Sequence, residues 1–193
     1  MRKLIYLGLA VLLSTALFAS ETDYTGGGFF KGNGSRGFSK SDPNYEEYDT
    51  AGFTYKLGAI KDEHSSGEIS VGIMDTKTVL DNHVIFIGFD VDYIATLHKR
   101  QSHFINPFIS IGLGSYYFTG DTDNNNTTYD ETEGVAFNAK VGLYLKISRH
   151  IEIEAHMHGK SFLWNGSEND TSGEARRAAD SMTNFYLGLN WHI

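Results

Sequence analysis

The stretch VAFNAKVGLYLKISRHIEIEAHMHGKSFL, residues 135–163, decides how this chain folds. Val135, Phe137, Ala139, Val141, Leu143, Leu145 and Ile147 take alternate positions, with Asn138, Lys140, Gly142, Tyr144 and Lys146 between them. After the break SRH the alternation restarts: Ile151, Ile153, Ala155, Met157 and Leu163 against Glu152, Glu154, His156, His158 and Lys160. A period of two belongs to a β-strand, whose successive side chains point to opposite faces. The stretch therefore reads as two antiparallel strands joined by a tight turn, one face largely apolar and the other carrying charges of both signs.

The pattern extends along the chain. Two prolines and 21 glycines, with Val, Ile, Phe and Tyr in short alternating runs, predict an all-β protein. Eight strands are expected, at about 24–34, 50–60, 67–76, 83–97, 103–118, 134–147, 151–164 and 183–193. Their connections are sorted. KDEHSS, HKRQS and SRH, after the second, fourth and sixth strands, are short. SRGFSKSDPNYEEYD, GDTDNNNTTYDETE and NGSENDTSGEARRAADS, after the first, fifth and seventh, are long and polar, with DTKTVLDN after the third intermediate. An antiparallel meander places odd and even connections at opposite ends, so this sorting gives one end short turns and the other long loops. A transmembrane barrel is built that way, with short periplasmic turns and longer extracellular loops.

Charge decides which face of each strand meets which surroundings. In the fifth strand Ile105, Pro107, Ile109, Ile111, Leu113 and Tyr117 oppose Asn106, Phe108, Ser110, Gly112, Gly114 and Tyr116. The second face mixes small, polar and aromatic residues, as the filled interior of a small barrel does. Asp90 and Asp92 likewise oppose Ile87, Phe89, Val91 and Tyr93. A Lys or Arg on a lipid-facing position near the midplane costs about 2–4 kcal/mol, so in a bilayer the charged set points inward. The expected interior is a network of Lys56, Lys140, Lys146 and Lys160 against Glu68, Asp90, Asp92, Glu152 and Glu154, with His156 and His158. An eight-stranded barrel has room for little besides its side chains, which argues against a wide channel. Tyr116, Tyr117, Phe118 and Trp164 at the outer strand ends, and Trp191 at the inner end, suit interfacial girdles.

Residues 1–20, MRKLIYLGLAVLLSTALFAS, carry Arg2 and Lys3, an uncharged apolar run and small residues before Glu21, the pattern of a secretory signal peptide. The barrel domain is then expected over 21–193. The formal net charge of −8 argues against a nucleic-acid partner. With no cysteine, an exported domain must be held by its core or by a membrane.

The final strand, NFYLGLNWHI, sets Phe185, Leu187, Leu189, Trp191 and Ile193 on one face and Tyr186, Gly188, Asn190 and His192 on the other. With this ending, the leader, the strand count and the loop sorting, the sequence resembles the small outer-membrane β-barrel family of Gram-negative bacteria. The likeness is to the transmembrane domain of outer membrane protein A and its stand-alone relatives. It implies an eight-stranded antiparallel up-and-down barrel in the cell outer membrane. It also implies that Gly188, Leu189, Trp191 and Ile193 form the last-strand signal read by the barrel-assembly machinery, with Ile193 where the family places Phe. The expected partners are outer-membrane lipid and lipopolysaccharide, and that machinery during biogenesis. The chain is expected to be a monomer.

No catalytic, metal or cofactor site is expected. His158 and Ser161 fall on opposite strand faces, His64 and Ser65 sit in a turn, and neither pair belongs to a triad. His156 and His158 lack further ligands at a metal-site spacing. Asp121, Asp123 and Asn125 start a calcium-loop spacing, but Asn126 stands for its glycine and Thr132 for its bidentate Glu. Asp123 to Thr127 also fits a short acidic glycosylation sequon. The expected role is structural or surface interaction. The alternatives are a lipid-modifying enzyme of the outer membrane and a soluble periplasmic barrel binding an apolar ligand.

Overall fold

Strands rich in Val, Ile, Phe and Tyr and punctuated by glycine can satisfy their backbone groups only by pairing with neighbours, and a closed ring of strands leaves no edge unpaired. The structure, a computed structural model, describes residues 23–36, 46–78, 83–100, 102–120, 132–164, 168–169, 175–176 and 179–193. The long strands are β1 (Tyr24–Arg36), β2 (Glu46–Ile60), β3 (Ser65–Thr78), β4 (His83–Thr96), β5 (Ile105–Gly120), β6 (Thr132–Lys146) and β7 (Ile151–Trp164). A two-residue pair, β8 (Glu168–Asn169) and β9 (Ala175–Arg176), precedes β10 (Ala179–His192). The eight long strands form one closed antiparallel barrel in the order β1-β10-β7-β6-β5-β4-β3-β2.

The register fixes the barrel's dimensions. Paired residues followed once round run Tyr24, Gly58, Glu68, Asp92, Gly112, Asn138, Lys160, Met182 and Gly34, returning to β1 ten residues above Tyr24. For eight strands about 4.8 Å apart, that displacement sets a tilt of about 40° and a backbone radius of about 8 Å. Side chains from opposite walls therefore meet.

Two connections at one end are four residues long. In 61–64, Asp62 folds the turn by accepting from His64 N (2.8 Å) and from Ser65 Oγ (2.5 Å). In 147–150, Ser148 Oγ accepts from the amides of His150 and Ile151. The third, 97–104, is longer and folds back on itself: Asn106 donates to the His98 carbonyl (2.9 Å) and accepts from its amide (3.0 Å). At the opposite end, residues 37–45, 79–82 and 121–131, and most of 165–178, lie outside the described residues, and with them the calcium-like and sequon stretches; so do residues 1–22, which include the expected leader.

Polarity is reversed relative to a soluble barrel. Phe29, Ile109, Leu113, Val141, Leu187 and Leu189 are among the outward residues and are well exposed, Leu113 at 67%. Inward positions are buried and largely polar. Two observed strands begin four residues earlier than the alternation predicts, β2 at Glu46 and β10 at Ala179. There the backbone ladder continues past the apolar pattern, because it depends on neighbouring amides and not on side chains.

Candidate functional site

The interior holds the charged chemistry, in three layers. The strands position each layer by parity: every second side chain of all eight points to the axis.

At the loop end lies an apolar layer of Tyr48, Met74, Phe86, Tyr116, Ala136, Phe162 and Met182, with Phe30 against it. Tyr116, read both as an inner-face residue of the fifth strand and as an aromatic of the outer girdle, points inward, edge-on to Phe162 at a centroid distance of 5.1 Å. Even-numbered positions of β5 face the axis, and the hydroxyl finds a partner only there: it donates to Asp90 Oδ2 at 2.6 Å.

The middle layer is ionic. Lys56 Nζ pairs with Glu154 and, at 2.9 Å, with Glu68. Lys140 Nζ bridges Glu68 (3.2 Å) and Asp92 (2.8 Å). Asp90 accepts from Lys160 Nζ and from Asn138 Nδ2, both at 2.6 Å, and Lys160 also contacts the Tyr116 hydroxyl. His156 Nδ1 lies 2.8 Å from Glu154 Oε1, without hydrogen-bond alignment. The His156 ring stacks on Tyr186 at 4.4 Å. His158 is buried beside it, their rings 5.8 Å apart and edge-on.

The turn end is closed by a residue that strand parity does not anticipate. Arg100 comes from the 97–104 turn, yet its side chain is buried. Its guanidinium lies between the rings of Tyr24 (4.0 Å) and Tyr144 (4.3 Å). It donates to Ser66 Oγ at 3.0 Å and Glu152 Oε2 at 3.1 Å. His192 Nε2 reaches the same Glu152 oxygen at 3.3 Å. Lys146, expected in the network, is only half-buried, although its register partner on β7 is Glu152. The buried cation at Glu152 is Arg100. The available signal was turn length: 97–104 alone among these three turns has enough chain to dip inward.

The structure thus brings together Lys56, Glu68, Asp90, Asp92, Lys140, Glu152, Glu154, His156, His158 and Lys160, and adds Arg100, Tyr24, Tyr116, Asn138, Asn190 and His192. Five buried carboxylates face four buried Lys and Arg among the described residues. Neutral donors supplement the cations, Asn190 Nδ2 to Glu154 at 2.9 Å and Tyr24 OH to Glu68 at 3.1 Å. His158 is buried and Ser161 exposed, on opposite faces of β7; His64 is exposed while Ser65 points at Asp62. Among the described residues no group of three or more His, Asp or Glu is placed to hold a metal ion.

In the last strand Leu189 and Trp191 face outward at 57% and 55% exposure, as does Ile193 beyond it, while Gly188 faces the axis opposite Gly28. Trp191 stacks on His150 across a centroid distance of 6.1 Å. Tyr117 also lies on the outward face, whereas the side chains of Phe118 and Trp164 fall outside the described residues.

No protein-family model matches the chain, and no curated protein matches it in sequence. Solved structures do match. Neisserial surface protein A superposes with a TM-score of 0.56 at 7% identity, covering 88% of this chain and 96% of that one. The outer membrane protein OprG of Pseudomonas aeruginosa gives 0.54 at 9% identity over 89% and 96%. Ail, the attachment invasion locus protein of Yersinia pestis, in complex with the heparin analogue sucrose octasulfate, gives 0.53 at 12% identity over 90% and 100%. At such identities the likeness is one of architecture. With its closed antiparallel order and apolar exterior, the chain has the fold of the small eight-stranded outer-membrane β-barrels.

Proposed function

We propose that this protein is an integral outer-membrane barrel with a filled interior, serving a structural or surface-interaction role. The reversed polarity carries the reading. Glu68, Lys56, Glu152 and Glu154 are at most 2% exposed, while Phe29, Leu113 and Leu189 stand in the open. In water that arrangement exposes a continuous apolar belt, whereas in a bilayer it matches each surface to its surroundings. A soluble carrier of an apolar ligand requires the opposite arrangement. In this reading residues 1–20 direct export and are removed, the short turns face the periplasm and the long loops face outward. Lipid, lipopolysaccharide and, during assembly, the barrel-inserting machinery are the partners of a monomer. No catalysis and no cofactor are assigned.

Two measurements test this. The purified chain in detergent is expected to migrate differently in a gel before and after boiling; release by osmotic shock with unchanged mobility would overturn the membrane reading. In planar bilayers it is expected to show no large steady conductance, and observing one would overturn the filled interior.

A further inference from the structure

The apolar belt does not end at one height. On β1, β2 and β10 the outermost large apolar residues facing outward are Phe29, Phe53 and Phe185. The outward positions beyond them include Lys31 and Asn33 on β1, Asp49 on β2, and Thr183 and Ser181 on β10, all exposed. Across the barrel the apolar face climbs further, to Ile85 on β4 and Val135 on β6, while on β7, beside β10, Gly159 and the exposed Ser161 interrupt it above Met157. With a register that rises ten residues per circuit, the belt on β10, β1 and β2 stops roughly 10 Å short of its height on the far wall. The result is a polar notch cut into an apolar surface.

A cleft of about 600 Å³ opens above this notch, between the ends of β10, β1, β2 and β3. Hydroxyl, amide and carboxylate groups of Asn33, Ser35, Asp49, Ser181 and Thr183 line it, and Tyr48 and Met182 belong to its wall. Ser35 Oγ and Ser181 Oγ are 3.2 Å apart across the β1–β10 seam. Closely spaced short donors and acceptors of mixed sign suit a polyhydroxylated ligand, each of whose hydroxyls can both donate and accept. Glu47 and Lys77 also line the cleft, so with Asp49 it presents both signs of charge and no single-sign surface for an isolated ion.

We propose that this notch binds the saccharide headgroup of a glycolipid whose acyl chains lie on Phe29, Phe53 and Phe185. The source is a lipid and not a free sugar, because the polar positions run directly into the exposed aromatic face below them. Lys31, on the boundary, is placed for an acidic substituent at the sugar–acyl junction. The proposal rests on the outer-membrane reading and gives its lipid partner a site.

The test uses the full barrel in detergent micelles, with insertion checked separately by the mobility shift on boiling, so that loss of the barrel and loss of the site are told apart. Purified rough lipopolysaccharide, its delipidated core oligosaccharide and phosphatidylethanolamine are the probes, read by native mass spectrometry. Rough lipopolysaccharide is expected to bind about tenfold more tightly than either other probe, and N33L/T183L to abolish that preference while keeping the mobility shift. I85N, polar on the high side of the belt, is a control expected to retain it. Equal binding of lipopolysaccharide and phosphatidylethanolamine, or a preference unchanged in N33L/T183L, overturns the site. Oligosaccharide binding as tight as the intact glycolipid overturns the lipid source.

Discussion

Individual positions differ by what lies opposite them in the narrow interior. A Cβ on Gly58 would collide with the ring of Tyr24, which is fully buried and tied to Glu68. A Cβ on Gly67 would meet nothing within 4 Å. Gly58→Ala is therefore expected to destabilise by about 1–3 kcal/mol, the usual cost of overpacking. Gly67→Ala should change stability by about 0.5 kcal/mol or less. Urea unfolding of the two variants in lipid vesicles checks the contrast, and equal midpoints would contradict the close packing of Tyr24 over Gly58. Ten of the eleven side chains expected in the network are buried, because parity on a strand is a sequence property. Lys146 and Arg100 show where parity stops: one sits half-buried at the end of β6, the other on a turn whose fold brings it to Glu152.

At the scale of the strand, what matters is which face a residue occupies. Leu187 is 54% exposed in the middle of the outward face of β10, between the buried Tyr186 and the inward Gly188. If the belt meets lipid, Leu187→Lys should cost about 2–4 kcal/mol in vesicle unfolding, as charges near a bilayer midplane do. A negligible cost would place that face in water. The turns obey local chemistry. The Ser65 hydroxyl and the His64 amide hold the Asp62 carboxyl below the usual carboxylate range. A folded-state value below the unfolded one means that Asp62 stabilises above the unfolded pKa, about 3.9, and that this is lost as pH falls through the folded value. Asp62→Ala should therefore lower the urea midpoint at neutral pH, and its deficit against the parent should close in acid. A pH-independent deficit would assign the effect to something other than this carboxylate.

For the whole molecule, the stacking of three interior layers carries the proposed closure. The apolar layer around Phe162 and the Arg100 clamp between Tyr24 and Tyr144 lie at opposite ends of the ionic layer. Opening one end alone leaves the other closed, so F162A and R100A should each remain silent in planar bilayers. The double variant should show small, brief openings, provided that each protein keeps its mobility shift on boiling. Conduction by R100A alone would mean that the apolar layer is no barrier.

The alternation in 135–163 and its counterparts determined eight strands, their antiparallel order and which face of each is apolar, because strand geometry converts every second residue into a common face. Strand ends were less legible, since backbone pairing runs past the side-chain pattern at Glu46 and Ala179. Tertiary structure alone decided the register that returns to β1 at Gly34. That register sets the barrel's width, which Lys meets which carboxylate, the inward course of Arg100 and the uneven edge of the belt. These depend on how strands distant in sequence slide against one another until the ring closes, a condition on all eight at once that no single stretch of sequence contains.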